Sequence, residues 1–379
     1  MAYAFFIVMA FATLPSPLYG LYLLRDNLSP FTITVIYAVF AVSTILTLRR
    51  VPAIADRIGR RGVMLAAVIT MMVAAGLLAA WKELPGLVIG RLFTGVAVGL
   101  AAGTAITYLI ELRLHADQTT SVVRARNIGT SVNVGALGVG PLIAGCLAQW
   151  ANWPLTLSYL VFVSLGAVAL MALATVPETG SSAQSAPRVR SRRRRLPVPA
   201  AAAALSAFAA MGLFAGLSGL LLATTLERPS PALAGTALCL VFSCGVASQL
   251  STFKLPASKI LGLGTLSMLL GLALLVTAVR LPTASLSLFL LAGALIGAGA
   301  GAVFKGTTGI VLQTATPDDR LAMTSALLIV LFIGLSVPVI GAGIALDQGA
   351  SPPDTVLGFA ILVALGVALS GWALLALRR

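Results

Sequence analysis

Twelve times along this chain, a run of about 20 apolar residues, the length that spans a bilayer's hydrocarbon as a helix, passes with almost no charge. The runs lie at 3–24, 31–50, 62–81, 86–110, 127–149, 154–176, 198–224, 231–252, 258–279, 284–313, 321–346 and 355–377. Lipid offers no partner to a backbone N–H or C=O, so each run must close its own hydrogen bonds as a helix. Composition excludes the soluble alternative. The chain is 59% hydrophobic and 9% charged, whereas soluble domains carry about 25% charged residues. An all-α membrane protein of twelve transmembrane helices is expected.

One long polar stretch interrupts the runs, "ETGSSAQSAPRVRSRRRRLPVP" at 178–199. Rich in Ser, Pro and Arg and without periodicity, it reads as a flexible linker. The expected organisation is therefore a six-helix bundle at 1–177, a cytoplasmic Arg-rich linker at 178–197 and a second six-helix bundle at 198–379. Placing both termini in the cytoplasm puts 19 of the 25 basic residues on that side and 4 on the other, with Arg91 and Lys305 inside spans. This is the positive-inside bias. It accounts for the net charge of +14 without nucleic acid as a partner. The opening "MAYAFFIVMAFATLPSPLYG" has no basic n-region and is too long for a signal peptide, so it reads as a first span. With no tail before it, a native start upstream is expected.

The halves repeat. "RARNIGTSVNVGALGVGPLIAG" after the fourth run matches "RLAMTSALLIVLFIGLSVPVIGAG" after the tenth, each an Arg followed 17 or 18 residues later by a Pro, Pro141 or Pro338. The fourth and tenth runs also share a ladder of glycines every fourth residue, Gly95, Gly99 and Gly103 against Gly293, Gly297 and Gly301. Such ladders let helix backbones approach closely. Tandem membrane halves are a transporter architecture with the substrate site between them.

"VPAIADRIGRRGVM", between the second and third runs, is the most specific stretch. Asp56 is placed to face a helix N-terminus, which favours a carboxylate. Gly59 permits a tight turn, and Arg57, Arg60 and Arg61 can pair with acids of neighbouring spans. The stretch resembles the loop 2–3 signature of the major facilitator superfamily, G-x-x-x-D-R-x-G-R-R/K, intact from Asp56 to Arg61 with Pro52 in place of the first glycine. "GRLFTGVAVGLAAG" resembles the family's fourth-span pattern, with Arg91 in its arginine position, and Glu111 matches the acid closing that span. "GALGVGPLIAG" is similar to the fifth-span pattern of antiporters at Gly140, Pro141 and Gly145, with Ala136 and Ala144 replacing expected glycines. The resemblance covers the whole chain, towards the twelve-span drug:proton antiporter type. It implies that Asp56, Arg57, Gly59, Arg60, Arg61 and Glu111 form a conformational switch at the cytoplasmic edge, and that Gly140, Pro141, Gly145 and Pro338 are helix-packing elements.

Candidate substrate-cavity residues are Tyr19, Arg91, Asn127, Ser131, Lys305 and Thr308. Pro15 and Pro17 bend the first span by removing backbone hydrogen bonds. Beside the bend, Tyr19 is assigned to the cavity and Tyr22 to an aromatic belt. Arg91 either snorkels or faces inward; the resemblance favours an inward residue bonded to the first span. Asn127 and Ser131 share a face and serve either interhelical bonds or substrate. Lys305 lies too deep to snorkel cheaply, with Thr308 on the same side. It reads as a functional cation, with a structural tie to backbone carbonyls or to a distant acid as the rival.

No Asp or Glu lies well inside any run, whereas many proton-coupled members of the family use an intramembrane carboxylate. The expected function is secondary active transport by alternating access, as efflux of small amphipathic compounds or drugs coupled to protons. One alternative is an organic-anion or metabolite carrier using Lys305 and Arg91 as counter-charge; another is a non-transporting receptor or lipid translocase on the same fold. Enzymatic activity is not expected, since no span pairs a nucleophile with a base and no phosphate-binding loop is present. No cofactor or metal is expected: Cys146, Cys239 and Cys244 lack metal spacing and read as core residues, and His115 lies in a polar loop. The expected partners are a small-molecule substrate, a coupling proton and the lipid bilayer. A monomer in the inner membrane of a bacterium is expected.

Overall fold

The computed structural model describes residues 1–116, 122–178, 196–252, 254–281, 283–314 and 317–376; within its helices the side chains at 115–128, 130, 131 and 314–322 are outside that description. Among the described residues all regular structure is helical, and twelve helices are long and apolar enough to cross a membrane. These are span 1 (Ala2–Asp26), span 2 (Pro30–Leu48), span 3 (Val51–Ala80), span 4 (Leu84–Leu114), span 5 (Val132–Trp150), span 6 (Leu157–Ala174), span 7 (Val198–Thr224), span 8 (Pro231–Ser251), span 9 (Ala257–Arg280), span 10 (Leu286–Gln313), span 11 (Met323–Asp347) and span 12 (Pro352–Ala376). The chain is a multi-pass integral membrane protein. The cysteines are half-buried rather than core.

The spans cluster into two compact units. The first comprises Met1–Asn27, Val39–Gln184 and Pro231–Thr236; the second comprises Leu28–Ala38, Ser185–Ser230 and Ala237–Arg379. Each unit uses the same internal pairings, which gives the sequence repeat its physical content. In the first, the glycine ladder of span 4 lies on span 2: a methyl group on Gly95 would sit 2.1 Å from the Phe40 carbonyl oxygen. In the second, the ladder of span 10 lies on span 8, and a methyl on Gly297 would sit 2.0 Å from the Val241 carbonyl oxygen. Spans 1 and 5 meet as closely through Gly140 and Ala10, and spans 7 and 11 through Gly212 and Leu335. Gly145 brings span 5 against the Pro231 backbone, within the first unit. Without a hydrophobic force between helices in lipid, this backbone approach is what holds the pairs.

The prolines act locally. Span 1 is interrupted: a helix over Ala2–Thr13, a 3₁₀ turn over Ser16–Leu18 and a second helix over Tyr19–Asp26. Span 5 continues through Pro141, which has no N–H to donate to the Leu137 carbonyl one turn back. The hydroxyl of Thr13, at the end of the first helical piece, donates to that carbonyl at 2.6 Å. The two proline defects are thus joined by one bond. Thr13→Val should destabilise the protein by about 1 kcal/mol, read as a lower melting temperature in detergent. An unchanged midpoint would mean that the carbonyl finds another donor.

Candidate functional site

In the "DRxGRR" stretch the departure at Pro52 has a local reason. A helix begins at Val51 with Pro52 in its first turn, where a missing N–H removes no intrahelical bond. The helix is broken at Gly59, whose φ of 73° and ψ of 168° are open essentially to glycine alone. Span 3 restarts after it, so the amides of Arg60 and Arg61 lack partners in the preceding turn. They donate to the two carboxylate oxygens of Glu178, each at 3.0 Å. The carboxylate capping this N-terminus is therefore Glu178, from the end of span 6, where the sequence pattern pointed to Asp56. Asp56 and Arg57 are exposed.

Around this cap three spans are tied at one end of the first unit. Arg60 Nη1 lies 2.6 Å from Glu111 Oε1, both side chains about a quarter exposed. Arg61 Nη2 donates to the Ala174 carbonyl at 2.6 Å, and the Tyr108 hydroxyl to the Pro177 carbonyl at 2.6 Å. An exposed ion pair contributes about 0–1 kcal/mol, so the cluster is no strong clamp. Its bonds are weak enough to break in a conformational change. The sequence places Glu178 at the head of the linker, since nothing in a single polar stretch says which side chain folds back.

Arg91 is only 1% exposed. It donates to the Ala12 carbonyl at 2.8 Å, beside the break in span 1, and its guanidinium lies 4.4 Å from the centroid of the Phe40 ring. It therefore does not snorkel; carbonyl and ring share its charge. Tyr19 is 3% exposed. Tyr22 is wholly buried, its hydroxyl 3.3 Å from that of Tyr159 on span 6, which corrects its assignment to an aromatic belt. The side chains of Asn127 and Ser131 lie outside the described residues.

Lys305, in the second unit, is half-buried on span 10. Its ammonium donates to the Gln249 carbonyl and to the Thr252 hydroxyl at 3.2 Å, both at the end of span 8. A cation at a helix C-terminus contributes about 0.3–1 kcal/mol. The geometry is the carbonyl tie, and the nearby hydroxyl is Thr252; the Thr308 hydroxyl has no hydrogen-bond partner among the described residues. No cluster of three or more potential metal ligands occurs among the described residues. Pro338 lies within span 11, one turn beyond the contact of Gly334 with the Leu205 backbone.

Comparison with known proteins agrees with this architecture. A family model described as Major Facilitator Superfamily matches residues 1–255. A mutant form of the nucleoside transporter NupG superposes with a TM-score of 0.77 at 12% identity, covering 100% of this chain and 98% of that one. The inward open conformation of the xylose transporter XylE from E. coli superposes with a TM-score of 0.72 at 16% identity, covering 97% and 93%. Comparison with curated protein sequences gives no match. At these identities the structural likeness concerns the fold. The family match spans about two-thirds of the chain, and the protein belongs to the major facilitator superfamily.

Proposed function

We propose that this transporter exports small amphipathic compounds by alternating access, driven by a proton gradient, as a monomer with both termini in the cytoplasm. One observation carries the substrate class. Arg91 and Lys305, the cations that fall within the apolar runs of the sequence, are each hydrogen-bonded to a backbone carbonyl, and no carboxylate lies deep in any run. A site without a committed counter-charge suits an uncharged or weakly charged molecule better than an organic anion, because an unpaired ion in a low-dielectric site is costly. The names of the similar structures, a nucleoside and a xylose transporter, are in keeping with uncharged cargo. Export rests on the fifth-span pattern at Gly140, Pro141 and Gly145. Asp56, Arg57, Gly59, Arg60, Arg61 and Glu111 act as the switch, joined by Glu178.

The test is transport by the protein in liposomes, with a panel of lipophilic dyes and drugs and a panel of organic anions, each with and without an imposed pH gradient. Gradient-driven movement of the lipophilic panel is expected, and the anions should not move. Anion movement that collapses in Lys305→Ala would overturn the substrate class. Lipophilic movement indifferent to the gradient would remove proton coupling.

A further inference from the structure

Along span 10 the residues at 293, 297, 301 and 305 form one ridge, because every fourth position of a helix lies on nearly the same face. The ridge meets carbonyls of span 8 in a fixed register. A methyl on Gly297 would sit 2.0 Å from the Val241 oxygen, and one on Gly301 2.3 Å from the Gly245 oxygen. The next pair in that register is 305 with 249, and there the Lys305 ammonium donates to the Gln249 carbonyl. Lys305 is thus the last rung of the zipper. The glycines let two backbones touch; the lysine, at the rung where span 8 ends, donates to a carbonyl of its last turn, where helix carbonyls lack intrahelical partners. Gly306, the following residue, packs on the Leu261 and Ala257 backbone of span 9, so span 10 is held on both sides at this level.

We propose that Lys305 is a positioning residue: it caps the C-terminus of span 8 from span 10, sets the register of the pair, and makes spans 8 and 10 move as one rod. It does not touch the substrate. The cap belongs to the second unit alone. In the first unit Gly95 meets the Phe40 oxygen and Gly99 the Thr44 oxygen, and the next position in that register is Gly103, at the level of Leu48 where span 2 ends; it meets the Val51 side chain and carries no charge. The repeat therefore keeps the zipper and differs in its lock.

Hydrogen–deuterium exchange of the protein in lipid nanodiscs tests the cap independently of transport. Lys305→Met keeps the length of the side chain and removes its donors; Lys305→Arg keeps the charge and the donors. Lys305→Met should raise amide exchange over the last two turns of span 8 by about tenfold or more, as loss of a charged hydrogen bond implies, and Lys305→Arg should restore most of the protection. Lys305→Gln keeps a donor without the charge, leaves the bond of the Thr252 hydroxyl to the Ser248 carbonyl in place and should raise exchange there by a smaller factor; it decides the matter if Lys305→Met does not fold. Unchanged exchange at the end of span 8 in these variants overturns the cap.

The transport half rests on the proposed transport reading. In liposomes Lys305→Met should lower the maximal rate and leave KM within about twofold, since a positioning residue does not contribute to ground-state binding. A KM raised more than tenfold with span 8 protection intact would overturn the proposal by making Lys305 a substrate ligand. If the protein moves none of the compounds tested, the transport reading fails, while the exchange result still decides the role of Lys305.

Discussion

Gly59→Ala should leave a folded protein that transports at a tenth of the native rate or less. Alanine at φ 73°, ψ 168° is strained, and its methyl would lie 2.6 Å from Glu178 Oε2. Of these two effects the contact is the more easily relieved, because a glutamate side chain can swing away. Doing so breaks its bonds to the Arg60 and Arg61 amides, so the substitution both strains the turn and uncaps span 3. Together these cost about 2–4 kcal/mol, concentrated where spans 3, 4 and 6 are tied. A double-variant cycle with Glu178→Ala checks the mechanism. If the alanine acts through Glu178, the two losses are non-additive by about 1 kcal/mol or more. Native transport by Gly59→Ala would show that the cap has no part in the cycle.

The second large effect is on stability. At Gly140 a methyl group would lie 1.8 Å from the Ala10 carbonyl oxygen, and no rotamer relieves a contact between two helix backbones. Spans 1 and 5 must move apart, lengthening the Thr13 to Leu137 bond. The expected cost is about 3 kcal/mol or more, at the upper end of overpacking effects. Gly140→Ala should appear as aggregation or a much reduced monodisperse yield in fluorescence-detected size-exclusion chromatography. Gly135→Ala is the control on the same helix: nothing lies within 4 Å of its Cβ position, and alanine is the better helix former. Equal behaviour of the two variants would mean that the close approach of spans 1 and 5 does not support the fold.

Features that depend on one helix at a time can be read from the residues alone. Twelve spans were legible because lipid forces each apolar run of bilayer length to satisfy its own backbone. The break in span 1 was legible at Pro15 and Pro17 because a missing N–H is a local defect. The ladders at Gly95 and Gly297 were legible because a fourfold spacing marks one helix face, whichever partner fills it. The tertiary structure decided which partner does. Glu178 reads as linker until span 6 brings it to the amides beyond Gly59. Tyr22 reads as an interfacial residue until Tyr159 is found beside it. Gly264 and Gly299, which seat spans 9 and 10 against each other, carry no fourfold pattern and gave no signal. Lys305 was conspicuous from its charge, but its ridge position gains meaning only once span 8 ends at its level. A side chain's chemistry is written in its own residue, whereas its partner is set by helix register and rotation, and these are properties of pairs.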